Sequence, residues 1–266
     1  MKSLSFFLLF IIFLLSGLYY KSKEIKIHRY EKDLIKPSET NFLISYNIRY
    51  DNNWDIENSW SLRKNKICQL LSAYNPSIFG IQEGLLEQIT FIDDFLINYT
   101  YVGVGRDDGR IKGEFCAIFF DTTRYRVGEN STFWLSETPD IVSIGWDAVL
   151  ERICTYGMFE NKISREKFWV FNTHFDHLGV ISRKKSSALI LDKIKEVNIH
   201  LLPVILMGDL NSIPNSDPIK ILNEELLDAS QISFKNVEGP EGTFNNFDPN
   251  LSIKNNIDYF FIKNLK

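Results

Sequence analysis

Six polar residues stand where apolar, strand-like runs end or begin, and their types are those that can bind a cation and activate water. The runs include NFLISY, SIFGIQ, FWVFNT, VILMG and DYFFI, and the residues are Asn47, Glu83, His174, Asp209, Asn211 and Asp258. Loops held by a rigid sheet are where sites are usually built. Carboxylate and amide oxygens suit Mg²⁺ or Mn²⁺, and an imidazole can donate to a phosphoryl oxygen. Together the six predict metal-assisted attack of water on a phosphate ester.

Each of these residues alone also has a structural interpretation. Asn47 can shape a turn, Glu83 can be an acid at the start of a helix, and His174 can be a hydrogen-bonded histidine at a sheet rim. The functional prediction therefore depends on their occurring together.

The elements that would position these residues alternate along the chain. The runs NFLISYN and PSIFGIQ read as strands, and LRKNKICQLLSAY and LLEQITFIDDFL read as helices. The middle is rich in strands, a helix is predicted from about Ser182 to Val197, and LPVILMGD follows as a buried strand. This order predicts an α/β layered domain.

Composition and charge limit the kinds of ligand that the chain is expected to bind. The chain has 266 residues, of which 44% are hydrophobic, and a net charge of −4. It therefore has no overall basic field of the kind that holds nucleic-acid phosphates. Cys68, Cys116 and Cys154 lie far apart in apolar runs, which predicts small buried side chains rather than a metal site.

The N-terminal segment differs from the rest of the sequence. An uncharged apolar stretch runs from Leu4 to Tyr20 between an early lysine and a basic flank. Its length lies between those of an export signal and a spanning helix. We expect residues 1–20 to be a signal peptide or membrane anchor, residues 21–40 a tether and residues 41–266 one domain, outside the cytoplasm. The sequence indicates no obligate protein partner.

A series of motifs in the same order resembles one known family. The motifs are ISYNIRYDN, IQEG, GRDDG with GEFCAIFF, NTHFDHLG, ILMGDLNSIP, GTFNNF and IDYFFI. They resemble the endonuclease/exonuclease/phosphatase superfamily with the deoxyribonuclease-I-like fold, over nearly all of residues 41–266. The resemblance implies a four-layer α/β sandwich: two packed mixed β-sheets flanked by helices, with a divalent metal at one rim.

The resemblance also implies a role for each matched residue. Glu83 would bind the metal with Asn47 beside it, and Asp209 would orient and deprotonate the attacking water. Asn211 would hold water or a phosphoryl oxygen, and His174 would donate to a non-bridging oxygen in the transition state. Two further acids and a cation complete the set. Glu114 matches the acid that orients this histidine, and Asp258 matches an acid that orients a later histidine. Arg106 is either a cation near the phosphate or part of a loop ion pair. Asp176 and His177 are expected to support the site.

One motif of the family is not matched. Members carry Ser-Asp-His and another strand beyond the equivalent of IDYFFI, whereas here eight residues follow Asp258. We therefore expect a phosphoesterase of reduced activity, and the alternative is a non-catalytic module that binds a metal and a phosphate ligand. The predicted substrate is a phosphate ester: nucleic acid, a phospholipid headgroup or a small phosphate ester.

Overall fold

Ten strands form two sheets in the computed structural model, which describes residues 42–233, 238–246, 248, 250 and 253–265. The first sheet contains β1 (Leu43–Asn47), β2 (Ile78–Gly84), β3 (Tyr99–Val102) and β4 (Phe115–Asp121), in the order β1-β2-β4-β3. Strands β1 and β2 are parallel, and the other pairs are antiparallel. The sheet is therefore mixed, as predicted.

The second sheet is also mixed. Its strands are β5 (Tyr125–Trp134), β6 (Ile153–Asn161), β7 (Lys167–His174), β8 (Val204–Asp209), β9 (Leu227–Asp228) and β10 (Asp258–Lys263). Their order is β5-β6-β7-β8-β10-β9, and within it only β7 and β8 run parallel. Strand β10 runs antiparallel to β8, so the start of β10 lies beside the end of β8.

Two helices cover the outer face of each sheet. Helices α1 (Trp60–Tyr74) and α2 (Leu86–Phe95) pack on the first sheet. Helices α3 (Val180–Val197) and α4 (Asp217–Asn223) pack on the second. Short 3₁₀ turns at Ile56–Asn58 and Ala229–Gln231 complete the described elements. The four-layer sandwich is thus confirmed.

Both faces of the central strands are covered, which explains why their sequences are almost continuously apolar. In β4, Phe119 packs with the helices of the first sheet, whereas Ile118 and Phe120 pack between the two sheets. In β8, Leu206 faces the second pair of helices and Met207 faces the first sheet. A strand that is covered on both faces has no solvent side to carry alternating polar residues.

A buried polar bridge holds the two sheets at one spacing. Gln82 Nε2 donates to Asn172 Oδ1 at 2.6 Å, and Asn172 Nδ2 donates to the carbonyls of Ile81 (3.0 Å) and Ala117 (2.8 Å). A Cβ at Gly80 would lie 2.8 Å from Asn172 Cγ, so glycine leaves the space that this bridge occupies. The bridge is next to the rim where the candidate residues lie.

The expectations for residues 1–40 fall outside the described residues. Among the residues that are described, no helix is both long enough and apolar enough to cross a bilayer. All three cysteines are buried and unpaired, as predicted.

Candidate active site

The predicted residues of both sheets meet at one rim of the sandwich. Asn47 ends β1 and Glu83 is the penultimate residue of β2, while His174 ends β7 and Asp209 ends β8. Asp258 opens β10 and pairs directly with Asp209 across the antiparallel ladder. The sheet stacking therefore brings together carboxylates, an amide and an imidazole that are up to 211 residues apart in the chain.

Asn47 joins the acids of the two sheets. Its Nδ2 lies 2.8 Å from Glu83 Oε1 and 3.1 Å from Asp209 Oδ2, so one amide group donates to both carboxylates. The backbone N–H of Tyr50 donates to Glu83 Oε2 at 3.2 Å. Glu83 has φ of 62° at a register shift in β2, and this left-handed backbone turns it away from the regular pleat. Strained backbone of this kind is concentrated at functional sites.

The GDLN segment forms a tight turn after β8. Gly208 has φ of 147°, and a Cβ there would collide with the carbonyl of Thr173, so only glycine fits before Asp209. The backbone N–H of Asn211 donates to Asp209 Oδ1 at 2.9 Å, and Asn211 Nδ2 donates to the carbonyl of Phe175 at 3.0 Å. The turn thus orients both the acid and the amide.

His174 is buried between these acids and a cation that the sequence prediction missed. Arg152 Nη1 lies 3.2 Å from His174 Nδ1, and Asn211 Nδ2 lies 3.1 Å from Nε2. Asp209 Oδ2 is 3.8 Å from Nε2. Burial, and then the positive charge of Arg152, lower the pKa of His174 well below its usual value. The imidazole is therefore neutral at pH 7.

Glu114 lies near His174, but its closest partner is Arg106. Arg106 Nη1 is 2.7 Å from Glu114 Oε2, whereas His174 Nδ1 is 3.9 Å from the same oxygen. Burial raises the pKa of Glu114, and Arg106 opposes this shift. The predicted orientation of His174 by Glu114 thus remains a prediction, because Arg152 is the nearer group in this geometry. Arg106 forms the predicted loop ion pair and also lines the cavity at the site, while its contact with a phosphate stays a prediction.

Arg152 is held by the residues that were expected to support the site. Its side chain is buried, and Nε lies 3.3 Å from Asp176 Oδ2, while Nη2 lies 3.0 Å from His177 Nδ1. The available signal was an arginine directly before the apolar run ICTYGMF and directly after Glu151. Nothing in that spacing indicates that this arginine reaches a histidine at the end of β7.

Asp209 and Asp258 form a pair of neighbouring carboxyl groups, of which Asp209 is buried and Asp258 is partly exposed. Thr243 Oγ1, from the GTFNNF motif, donates to Asp258 Oδ2 at 2.5 Å. Burial and then the charge of Asp209 raise the pKa of Asp258 to about 7. Burial raises the pKa of Asp209 as well, and Glu83 adds to the effect against the donors Asn211 and Asn47. The rim therefore carries more negative charge than its own donors compensate.

A small cavity of about 10 Å³, room for about one water molecule, lies beside these groups. It is lined by polar side chains of both signs, together with Phe115, Cys116 and Ile153. The charged and polar lining residues are Glu83, Arg106, Glu114, Glu151, Arg152 and His174. Arg106 Nε is buried and has no hydrogen-bond partner among the described residues. The cavity therefore offers unused donor capacity to an anion.

The oxygen groups at the rim fit a magnesium-like cation. No group of three or more acidic, cysteine or histidine side chains among the described residues forms a complete metal site. Mg²⁺ does not require one, because it keeps several waters and binds through one or two carboxylates. Glu83 supplies one such carboxylate with Asn47 beside it, and the negative charge of Asp209, which shares the Asn47 amide, favours a divalent cation nearby.

The sequence model of the endonuclease/exonuclease/phosphatase family matches residues 44–266. The chain belongs to this family. The solved mannosyl-6-phosphatase of Bacteroides thetaiotaomicron is 39% identical, with a TM-score of 0.82 over 85% of this chain and 86% of that chain. A functionally unknown protein of Enterococcus faecalis is 30% identical, with a TM-score of 0.76 over 83% and 86%. The human nocturnin catalytic domain, 18% identical at a TM-score of 0.65, shows the fold alone.

The curated relatives of this member of the endonuclease/exonuclease/phosphatase family are matched over only part of their length. An uncharacterised protein of Acanthamoeba polyphaga mimivirus is 34% identical over 161 residues, which is 58% of this chain and 59% of that protein. The Schizosaccharomyces pombe exoribonuclease subunit Ccr4 is 24% identical over 80% of this chain and 39% of its own length. The matches thus span between a third and three fifths of these relatives.

Proposed function

We propose that this chain is a phosphoesterase that uses Mg²⁺ or Mn²⁺ to hydrolyse the phosphate monoester of a small alcohol. The observation that carries the proposal is the convergence of Asn47, Glu83, His174 and Asp209 from two sheets at one rim. Glu83 and His174 also line the charged cavity beside that rim. Membership of a family that includes phosphatases and nucleases supports the coarser class of phosphoesterase.

The residues divide the reaction between them. When bound by Glu83 and Asn47, the cation would polarise the phosphoryl group and offset its negative charge. Asp209 accepts a proton from the attacking water, and its raised pKa makes it a stronger base than an exposed carboxylate. The water oxygen bonds to phosphorus as the phosphorus–alcohol bond breaks, and the leaving oxygen takes a proton from solvent. His174 and Asn211 donate to the phosphoryl oxygens as negative charge develops.

Two guanidinium groups favour a monoester over a diester. Arg106 and Arg152 line the same cavity, and Arg106 Nε has no hydrogen-bond partner within the described residues, although Asp107 Oδ1 lies 3.7 Å from it. A terminal phosphoryl group carries about two negative charges at pH 7 and can accept hydrogen bonds from both guanidinium groups. A diester carries one charge and continues on both sides. The relative at 39% identity is named a mannosyl-6-phosphatase, which is consistent with a sugar phosphate.

The test is phosphate release by the purified chain. Mannose 6-phosphate, a p-nitrophenyl diester and a short oligonucleotide are compared, each with Mg²⁺, with Mn²⁺ and with EDTA. We expect turnover of the monoester that EDTA abolishes and that Asp209→Asn reduces by ~100-fold or more. The exposed Asp192→Asn is the matched control and should retain the wild-type rate.

Other outcomes identify the alternatives. Preference for the oligonucleotide or for the p-nitrophenyl diester would show that the substrate is a diester, and the protein would still be a phosphoesterase. Calorimetric binding of mannose 6-phosphate with Mg²⁺ but no turnover of any ester would instead indicate the non-catalytic binding module. The reduced rate expected from the unmatched Ser-Asp-His motif, and the export of the domain, stay predictions.

A further inference from the structure

His177 is exposed at the mouth of the site, yet one of its ring nitrogens is held by a buried group. Its Nδ1 lies 3.0 Å from Arg152 Nη2. Among the described residues, none accepts a hydrogen bond from its Nε2. The residue belongs to the NTHFDHLG motif, and the proposed reaction assigns it no role.

The anchor of His177 is rigid. The Arg152 side chain is 4% exposed and its partner Asp176 is fully buried. The backbone N–H groups of Leu178 (3.0 Å) and Gly179 (2.7 Å) both donate to Asp176 Oδ1. The same guanidinium contacts His174 in the cavity, so Arg152 links an imidazole beside the phosphate site with an imidazole at its mouth.

The contact with Arg152 determines how His177 can bind a ligand. A guanidinium is always protonated and only donates, so His177 Nδ1 accepts. In the neutral ring the single proton is then on Nε2. This leaves His177 with one N–H donor at the mouth of the site, in an orientation that the buried arginine maintains.

The neighbouring surface is apolar and acidic. Val149, Leu150 and Leu178 are exposed, and the backbone N–H of Val149 donates to Asp176 Oδ2 at 3.3 Å, which places this loop beside Arg152. The loop from position 137 to position 151 contains four acids and no lysine or arginine. One cation lies beside these acids, because Arg183 Nη1 donates to the carbonyl of Asp176 at 2.9 Å. The exposed apolar side chains accommodate an uncharged group with hydroxyls and apolar C–H faces.

We propose that His177 is a specificity-determining residue that donates a hydrogen bond from Nε2 to a hydroxyl group on the uncharged alcohol portion of the substrate. This inference rests on the proposed monoesterase function. Arg152 then has two contacts with different consequences. Its contact with His174 affects binding of the phosphoryl group, and its contact with His177 affects binding of the alcohol portion.

The experiment compares two esters that differ only in hydroxyl groups and the ring oxygen. Mannose 6-phosphate has ring hydroxyls, and cyclohexylmethyl phosphate has the same ring size and exocyclic phosphate without them. We expect His177→Ala to raise KM for mannose 6-phosphate by about 3- to 10-fold with kcat within about twofold, as the loss of one neutral hydrogen bond predicts. Its constants for cyclohexylmethyl phosphate should be unchanged. His177→Gln, which retains an N–H donor, should recover part of the loss, and His200→Ala is the control at another exposed histidine.

Two results would overturn the inference. Equal losses for both esters would show that His177 acts only by supporting Arg152, and no change with either ester would show that it has no role. If the wild-type chain hydrolyses neither ester, the proposed function fails. The role of His177 is then tested separately, by calorimetric binding of mannose 6-phosphate to the wild type and to His177→Ala. Binding that His177→Ala weakens would support it, and binding that the variant leaves unchanged, or no binding by the wild type, would end it.

Discussion

Asn47 Nδ2 lies 3.1 Å from Asp209 Oδ2, although the two residues belong to different sheets and are 162 positions apart. The same nitrogen also donates to Glu83 Oε1 at 2.8 Å. One amide thus separates two carboxylates that would otherwise repel each other at the rim.

We expect Asn47→Asp to destabilise the metal-free protein, because a third carboxylate would replace the donor between Glu83 and Asp209. The free energy of unfolding should fall by roughly 1 to 3 kcal/mol in EDTA at pH 8, and Mg²⁺ should restore part of it. Thermal melts with EDTA and with Mg²⁺ measure this. The exposed Asn130→Asp serves as the control, and equal effects of Mg²⁺ on both variants would contradict the prediction.

The polar bridge between the sheets should be important for stability. Asn172→Leu removes one of two acceptors of Gln82 Nε2 and the side-chain hydrogen bonds to the carbonyls of Ile81 and Ala117. We expect a loss of about 2 to 4 kcal/mol in urea unfolding, since buried polar groups would lose their partners. The exposed Asn53→Leu should change stability by less than about 0.5 kcal/mol. A wild-type midpoint for Asn172→Leu would show that the bridge contributes little.

Asp258 should make the stability of the metal-free protein depend on pH. Its pKa is raised from 3.8 to about 7 by burial and by Asp209. The folded state therefore holds its proton more tightly than the unfolded state does. The resulting stabilisation is fully present below about pH 4 and is lost as the pH rises through about 7.

Asp258→Asn should remove this dependence. In EDTA, the variant should gain stability relative to wild type between pH 5 and pH 8, by on the order of 2 kcal/mol. Urea titrations at several pH values measure the difference, with the exposed Asp192→Asn as the control. Parallel pH profiles for wild type and Asp258→Asn would show that the carboxyl titrates near its ordinary value.

Arg152 should control the charge state of His174. Its cation is the second cause, after burial, of the lowered pKa of this imidazole. We expect Arg152→Gln to raise the pKa of His174 and to destabilise the fold, because Asp176 would lose its buried ion pair. An NMR titration of the ring proton signals measures the first effect, and Arg126→Gln, on a half-exposed strand, is the control. An unchanged titration of His174 would show that burial alone keeps it neutral.

Local sequence was sufficient to predict most helices and strands but not all of their first and last residues. Helix α3 begins at Val180 rather than near Ser182 because its first N–H groups are capped by a distant residue: Asp147 accepts from Ile181 at 3.0 Å and from Ser182 at 2.6 Å. Helix α4 has seven residues, and so short a run gives little periodicity to detect.

The sequence by itself determined which residues end the strands, because apolar runs covered on both faces stop abruptly where polar groups begin. It also determined the family, since the motifs follow one another in a characteristic order. Only the tertiary structure decided which side chains meet. Arg152 rather than Glu114 is the nearest group to His174 Nδ1, and Asn47 connects the acids of both sheets. Such contacts depend on how the two sheets stack and on which of several donors lies nearest to a given acceptor. The spacing of residues along the chain specifies neither of these.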